Sequence, residues 1–512
     1  MTNTVFPKNA SLSNGNDNMA IQLFGNRIFA DQSLYEYLIE FLLVFASPKN
    51  EDKETDKMDF HSHLDGELEY YVKPHMGLKR FIFYKRSKKH ITIPADEKAY
   101  NDILNILMRK IGGSDPNTGK TSNTIEAIQD LFYGYAAVLK NRTWTAQSLL
   151  PIAPELIFCE AMLKAKNRIK LHKMNNDTIN TDIEMEFDYS RHNFMARGGE
   201  VYYLHILQGL ELCTCKEKEL LQDMLKNLIS ANGADFSSIA NWIEDSWIMS
   251  QNINPEKLWL KKTLSFIPAT GYIDCSKKTI LELTTFLSSE MHPITRIELL
   301  SKGIILQIMR MMCIRTNKYL EIKPSPWILD LCSKKSGNTV RKISTDSFRR
   351  VDELFVSAIN KITFEYLEQV EEGQKVLTPF EYLSRSKKHT LNMFKRLGKE
   401  MQFIIPLKGA HERFSLSEDL VKFLVLSLVK PNDKITFDMF LDKLYDHFNI
   451  VIGPKQYKEC TDSIKIDTEQ ADAFRNNELR FQEFLKSTGF LRDLSDATAI
   501  VINPYSEVIL HE

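Results

Sequence analysis

The chain predicts a mainly α fold, α+β overall, on three observations. Apolar residues recur at helical spacing through most of residues 151–407. Three short runs rich in Tyr, Phe, Ile and Val cluster between residues 68 and 94. The last hundred residues set three helical stretches ahead of two extended ones. The expected organisation is a flexible arm over 1–20, a small N-terminal α+β region over 21–150, an all-helical middle body over 151–407, and a C-terminal winged helix-turn-helix over 411–512.

Residues 1–20 are polar and carry no apolar core of signal-peptide length. The stretch from Ile21 to Ser47 begins extended and continues as a helix, with Leu34, Tyr37, Leu38, Phe41 and Leu42 on one face and Asp31 or Ser33 as N-cap. After a charged loop, LEYYVKP, KRFIFYKRS and KHITIP read as strands.

In the middle body, PELIFCEAMLKAKNRIKLHK, KELLQDMLKNLISANG, TILELTTFLSSEM and SFRRVDELFVSAINKITFEYLEQVEEG carry i, i+3, i+4 apolar spacing. Gly233 and Gly373 follow two of these helices, at positions that favour positive φ. PSPW at 324–327 and SKKSGN at 333–338 are the expected internal linkers. No period of 20 to 50 residues repeats, which argues against a solenoid.

At the C-terminus, Ser415 or Ser417 caps a helix carrying Leu420, Phe423, Leu424 and Leu428. Thr436 caps the next, with Phe437, Phe440, Leu441, Leu444 and Phe448 on one side, and Ile450–Ile452 then reads as extended. A helix opening at Asp467 or Thr468 carries Phe474, Leu479, Phe481, Phe484 and Leu485 and closes at Gly489. Phe490–Leu494 and Ala499–Ile502 flank a turn and form the expected wing. Residues 411–512 hold twelve lysines and arginines against eighteen acids. A DNA-reading winged helix presents basic surfaces, so this acidity points to docking on protein.

The 66 basic and 67 acidic residues of the whole chain nearly balance, so no global field favours nucleic acid or membrane. Seven scattered cysteines fit reduced core thiols, and the Cys213/Cys215 pair lacks the second pair that four zinc ligands would need. Apolar runs are broken by charge before the ~20 residues a bilayer span needs. A cytoplasmic protein without membrane contact, cofactor or metal is expected.

Three motifs invite chemistry. His61, His63 and Asp65 in FHSHLDGE resemble a metal-binding strand end of the adenosine-deaminase type, but a charged loop precedes them and an ordinary solvated loop is the better reading. In GGSDPNTGKTSN the position a phosphate loop reserves for glycine is Ser114, so a turn between helices is expected. In DYSRHNFMARGGEVYYLH, Arg191, His192, Arg197 and Glu200 crowd around Gly198 and Gly199. Paired guanidiniums suit phosphate or carboxylate, and His192 with Glu200 suits acid–base work. The alternative there is a loop entering a helix, with an arginine–glutamate pair satisfying buried groups.

Basic clusters supply the nucleic-acid candidates. Lys79, Arg80, Lys85, Arg86, Lys88 and Lys89 are interleaved with Phe81, Phe83 and Tyr84. Lys334, Lys335, Arg341, Lys342, Arg349 and Arg350 form a second run. Arg385, Lys387, Lys388, Lys395, Arg396 and Lys399 form a third, with no acid between 385 and 399. Convergence of two such clusters would make a phosphate-binding surface.

The string from ERFSLSEDLVKFLVLSLVKPNDKITFDMFLDKLYDHFNIVIGP to FLRDLSDATAIVINPY, with DYSRHNFMARGGEVYYLH upstream, resembles proteins of bacterial anti-phage gene clusters. It is most similar to a component of a methylation-associated defence system that carries no recognised catalytic motif. The resemblance implies action beside ATPase, nuclease or methyltransferase subunits and transfers no catalytic residue. The leading expectation is a non-enzymatic subunit touching DNA through its basic clusters and a partner through the winged helix. The alternatives are an enzyme or ligand-binding protein with a site at Arg191, His192, Arg197 and Glu200, and a pure scaffold.

Overall fold

The computed structural model describes residues 5–8, 10, 18–26, 28–29, 31–52, 57–61, 64, 67–87, 94–113, 116, 118–139, 144–157, 161–163, 187–192, 197–230, 233–250, 258–332, 338–370, 376–461, 467–495 and 498–510. Helices dominate them. In chain order the helices are α1 Met19–Phe24, α2 Leu34–Ala46, α3 Met76–Phe83, α4 Pro94–Gly112, α5 Gly119–Tyr133, α6 Gly198–Leu210, α7 Cys215–Ser230, α8 Ala234–Ser250 and α9 Ile273–Leu287, followed by α10 Pro293–Tyr319, α11 Asn338–Leu367, α12 Pro379–Lys387, α13 Leu391–Glu400, α14 Glu418–Leu428, α15 Phe437–Phe448, α16 Pro454–Cys460 and α17 Thr468–Ser487.

Short strands stitch distant segments together. β1 Val5–Phe6 pairs antiparallel with β8 Ile267–Pro268, so part of the expected arm is anchored. β2 Glu69–Val72 pairs with β7 Leu260–Thr263, β3 Ala136–Val138 with β4 Ser148–Leu149, and β5 Ala161–Leu163 with β6 Phe187–His192. β9 Trp327–Ile328 runs parallel to β13 Ile450–Val451, and β10 Ile404–Ile405 pairs with β11 Arg413–Phe414. β12 Lys434–Thr436, β15 Thr498–Ile502 and β14 Leu491–Ser495 form an antiparallel sheet with β15 in the centre.

Local chemistry explains the central packing. Ser33 and Glu36 form a capping box that starts α2. That helix is apolar on nearly every side and is buried accordingly. It lies against α6 at the two glycines that open the latter. A Cβ on Gly198 would come within 2.4 Å of the Tyr37 ring, and one on Gly199 within 2.4 Å of the Tyr37 carbonyl oxygen. The glycine pair is therefore a contact surface between helices.

Three expectations change. KRFIFYKRS is helix α3 rather than a strand, because Glu244 of α8 accepts the Met76 and Leu78 N–H groups and caps its first turn from outside the segment. Its β-rich composition reflects burial on all sides instead of strand pairing. Of PELIFCEAMLKAKNRIKLHK, Pro154–Leu156 is a short 3-10 turn and Ala161–Leu163 a strand, so neither described piece belongs to the helix expected there. Gly233 does not close α7 with positive φ; its carbonyl accepts the Ser237 N–H and begins α8. KHITIP falls mostly outside the described residues, as does Gly373.

The C-terminal segment reads β11, α14, β12, α15, β13, α16, α17, β14, β15. The caps at Ser417, Thr436 and Asp467 form as expected, and Gly489 has φ +81°. Helix α16 and strand β12 are additions that the sequence pattern did not suggest. One continuous buried apolar cluster runs from Phe6 to Val501, and α14 packs on both α9 and α10. The core is thus shared across positions 150 and 407.

Candidate functional site

Two residues of the first basic cluster are interior. Lys79 is 3% exposed and donates to the Thr145 carbonyl at 2.6 Å. Arg80 has no exposed surface: it pairs with Asp96 at 2.6 Å, donates to the Met76 carbonyl, and lies over the Trp144 ring. Lys85 is half-exposed and faces Glu97 at 3.6 Å, and Arg86 meets Asp130 at 2.5 Å. Lys88 and Lys89 lie outside the described residues. Among the described residues, folding turned Lys79 and Arg80 inward, and Glu97 and Asp130 meet Lys85 and Arg86.

The third cluster is divided as well. Glu412, beyond the acid-free stretch, receives Lys395 at 3.2 Å and Lys399 at 3.1 Å. Arg396 stands 3.9 Å from Glu400 on the wall of a cleft of about 180 Å³, shared with Asp31, Tyr35 and the β3 backbone. Arg385 and Lys388 are exposed at the end of α12, and Lys387 is partly so. Among the described residues Lys387 and Lys388 take part in no ion pair. Lys79 and Arg80, being interior, contribute to no surface shared with the third cluster.

Arg197 and Glu200 form a clamp. Arg197, with φ 61°, precedes α6 and donates to Glu200 at 3.0 Å. Glu200 is 1% exposed; its other oxygen accepts the Ser265 N–H at 2.6 Å, and its own N–H donates to Glu40 at 3.1 Å. Burial pushes the Glu40 carboxyl up to about 7, and the charge of Glu200 adds to the shift. These groups satisfy one another between α2, α6 and the segment after β7, which fits the structural alternative for this motif. Arg191 and His192 lie on β6, and their side chains fall outside the described residues. His61 is not a solvated loop residue: it is 8% exposed, hydrogen-bonds Tyr203 at 3.0 Å and the Glu69 carbonyl at 2.7 Å, and burial pushes it down to about 4. His63 and Asp65 are outside the described residues.

The acidic residues of the C-terminal unit are partly consumed inside the molecule. Besides Glu412, Asp419 pairs with Lys302 of α10, and Asp446 pairs with Lys278 of α9 at 2.8 Å. Beneath them lies a polar network that the sequence did not disclose. Arg310 of α10 meets Glu282 of α9 through both guanidinium nitrogens, at 3.0 Å each. Gln307 and His447 also donate to Glu282, at 2.5 and 2.7 Å, and Arg310 donates to the His447 carbonyl at 2.6 Å. Thr279 donates to the Cys275 carbonyl and so accepts from both Arg310 and His205. That assigns the Nε2–H tautomer to His205 and leaves its buried Nδ1 bare. The one signal in the sequence was Gln307 and Arg310 standing three apart inside the otherwise apolar stretch 303–314.

A second tie holds α17. Asn477 has no exposed surface and donates to the Leu329 carbonyl at 3.0 Å and the Ile452 carbonyl at 2.9 Å, while accepting the Leu331 N–H at 2.9 Å. It thereby bridges the parallel β9/β13 pair. Beside it Asp330, 2% exposed, accepts Arg341 at 3.1 Å and Arg413 at 2.7 Å. Asn477 sits three residues after Phe474 and four before Phe481, so its inward direction was legible at helical spacing.

What remains open is the outer face of α17 and the adjoining β14. Arg475, Asn476, Leu479, Arg480, Glu483 and Lys486 are exposed there. The cations of α17 are matched within the unit, Arg475 by Asp472 at 3.3 Å, Arg480 by Glu483 at 2.7 Å, and Lys486 by Asp493 at 2.7 Å, while Arg492 of β14 is exposed and takes part in no ion pair among the described residues. Leu479 is 55% exposed and Leu494 66%. On its flank a hollow of about 180 Å³ is lined by Asp330, Leu331, Cys332, Ile405, Ser415, Leu416, Arg480 and Phe484. Among the described residues no helix is long and apolar enough to cross a membrane. No protein family, curated protein or solved structure matches the chain.

Proposed function

We propose that the chain is a non-enzymatic, partner-binding subunit. Its helical body serves as a rigid base, and its C-terminal winged-helix-like unit docks another protein through the outer face of α17 and β14. With the short β13 and α16 set aside as insertions, the order α14, β12, α15, α17, β14, β15, with β12 beside β15, supports reading this unit as a winged helix. The observation that carries the docking reading is the composition of the exposed face. Two leucines stand in solvent, and each cation of α17 is already paired by a carboxylate of the same unit. A phosphate backbone needs uncompensated positive charge, whereas exposed apolar side chains rimmed by paired charges mark protein interfaces. The anti-phage, multi-subunit setting follows from the sequence resemblance, and so does a nucleic-acid-directed role for the assembly. Direct DNA contact by this chain would fall to cations at the end of α12 such as Lys387 and Lys388, which take part in no ion pair among the described residues.

The test is cross-linking of the full chain in its native assembly, followed by mapping of the linked residues. Links from the α17 and β14 face to one partner subunit, lost in Leu479→Glu and Leu494→Glu, are expected. Binding of bare DNA that is strongly salt-dependent and abolished by Arg475→Glu or Arg480→Glu would instead make α17 a DNA reader.

A further inference from the structure

We propose that the hollow beside α17 receives one aliphatic side chain that the partner carries next to a carboxylate. The partner would thus present an acidic, leucine-type recognition segment. This rests on the docking reading above and names what is docked. At about 180 Å³ the hollow is smaller than the ~300–1,000 Å³ of sites for drug-sized ligands. It suits a single anchoring side chain, the kind of buried contact that dominates interface energetics.

Its walls and its charge point to the same occupant. Leu331, Ile405, Leu416 and Phe484 supply apolar surface. Around the hollow three guanidiniums, Arg341, Arg413 and Arg480, share two carboxylates, Asp330 and Glu483. Asp330 is interior and already receives two of them, so the neighbourhood keeps one positive charge in excess. Arg480 is 46% exposed on the rim, where a partner carboxylate can replace or join Glu483. The floor is held still by Asn477, whose amide ties α17 to Leu329, Leu331 and Ile452. A preformed hollow loses little conformational freedom on binding, which favours use as an anchor point.

The experiment uses the full chain with labelled Ile and Leu methyl groups and N-acetyl-leucine as probe, a molecule that joins an aliphatic side chain to a carboxylate. Saturable shifts confined to Leu331, Ile405 and Leu416 are expected. N-acetyl-leucinamide, which lacks the charge, should bind about two- to five-fold more weakly, as for a half-exposed ion pair. Arg480→Ala should erase that difference, and Cys332→Phe, which fills the mouth, should abolish binding of both probes. Equal binding of the two probes, or shifts that do not saturate or spread to the exposed Leu407 and Leu494, would overturn the proposal. The two readings fail separately in the native assembly. If Leu479→Glu loses the cross-linked partner while Cys332→Phe keeps it, the docking face stands and the anchor is refuted. If both variants lose it, both stand; if neither does, the docking face itself is refuted.

Discussion

Arg310 and Glu282 meet fork to fork across α9 and α10, each guanidinium nitrogen 3.0 Å from a carboxylate oxygen, with 4% and 1% of the two side chains exposed. His447 of α15 completes the arrangement through both its ring and its carbonyl. The pair therefore does more than join two body helices. It fixes where the C-terminal unit sits.

Breaking that pair from one side should be costly, because the remaining charge stays buried without its partner. Arg310→Ala is expected to lose about 3–5 kcal/mol in chemical denaturation. The double variant Glu282→Leu with Arg310→Met should recover most of the loss, since two apolar groups need no partner. A double variant no more stable than Arg310→Ala would show that the other donors to Glu282 matter more than its charge.

Asn477→Ala should destabilise by about 2–4 kcal/mol, because two buried carbonyls and one N–H lose their partner together. Hydrogen exchange offers the sharper readout. The Leu331 amide should lose protection by more than its neighbours in α11, and uniform loss would mean global destabilisation alone.

The acid and base groups of the core give opposing pH dependences. Glu40 has its carboxyl raised from 4.5 to about 7, so the folded state holds a proton that the unfolded state has released. Its contribution is greatest below about 4.5 and is lost as pH rises through 7. Glu40→Gln should therefore flatten the fall in stability between pH 5 and 8 by roughly 3 kcal/mol at most. His61 and His205 behave the other way, with burial pushing them down to about 4 and about 3. As pH falls below ~6.5 the unfolded state takes up protons first, and stability declines. Melting curves at pH 5, 6.5 and 8 for wild type, Glu40→Gln and His205→Gln separate the two signs.

Arg80→Met should lower stability by about 3–5 kcal/mol while leaving the affinity and salt slope for DNA unchanged, because Arg80 is wholly interior and binds Asp96. A reduced salt slope would return it to the surface. Lys387→Glu with Lys388→Glu makes the contrasting pair: stability within about 0.5 kcal/mol of wild type, with any residual DNA binding lost.

Gly199→Ala should be more damaging than the usual helix-favouring exchange. The added Cβ would lie 2.4 Å from the Tyr37 carbonyl oxygen and 2.6 Å from the Phe41 nitrogen, both backbone atoms that cannot swing aside. About 1–3 kcal/mol of overpacking is expected in thermal melts.

Helices with one dominant apolar face and a local cap were legible in the sequence. α2 with Ser33, α14 with Ser417 and α15 with Thr436 carried their own start signals. α3 was misread because its cap is Glu244, 166 to 168 residues from the amides it accepts, and because full burial gives a helix the composition of a strand. The basic clusters misled for a related reason. Charge counted along the chain ignores partners from other segments, such as Asp96 for Arg80 and Glu412 for Lys395 and Lys399. The acidity of the C-terminal unit was real, but several of those acids find lysines of the body first. The hollow beside α17 could not be anticipated, since its walls come from four separated stretches of chain.

The two-residue parallel pairing of Trp327–Ile328 with Ile450–Val451 has a consequence for inheritance as well as for folding. A cassette cut at residue 411 would leave behind the strand and the Leu329 and Leu331 backbone groups that its own Asn477 binds. Such a fragment, expressed alone, would expose the faces of α14 and α17 that the body covers and would aggregate instead of binding. The last hundred residues are therefore not a portable module. On the docking proposal, a change of partner preference would have to proceed by point changes on the outward face of α17, with the interlocked base kept whole.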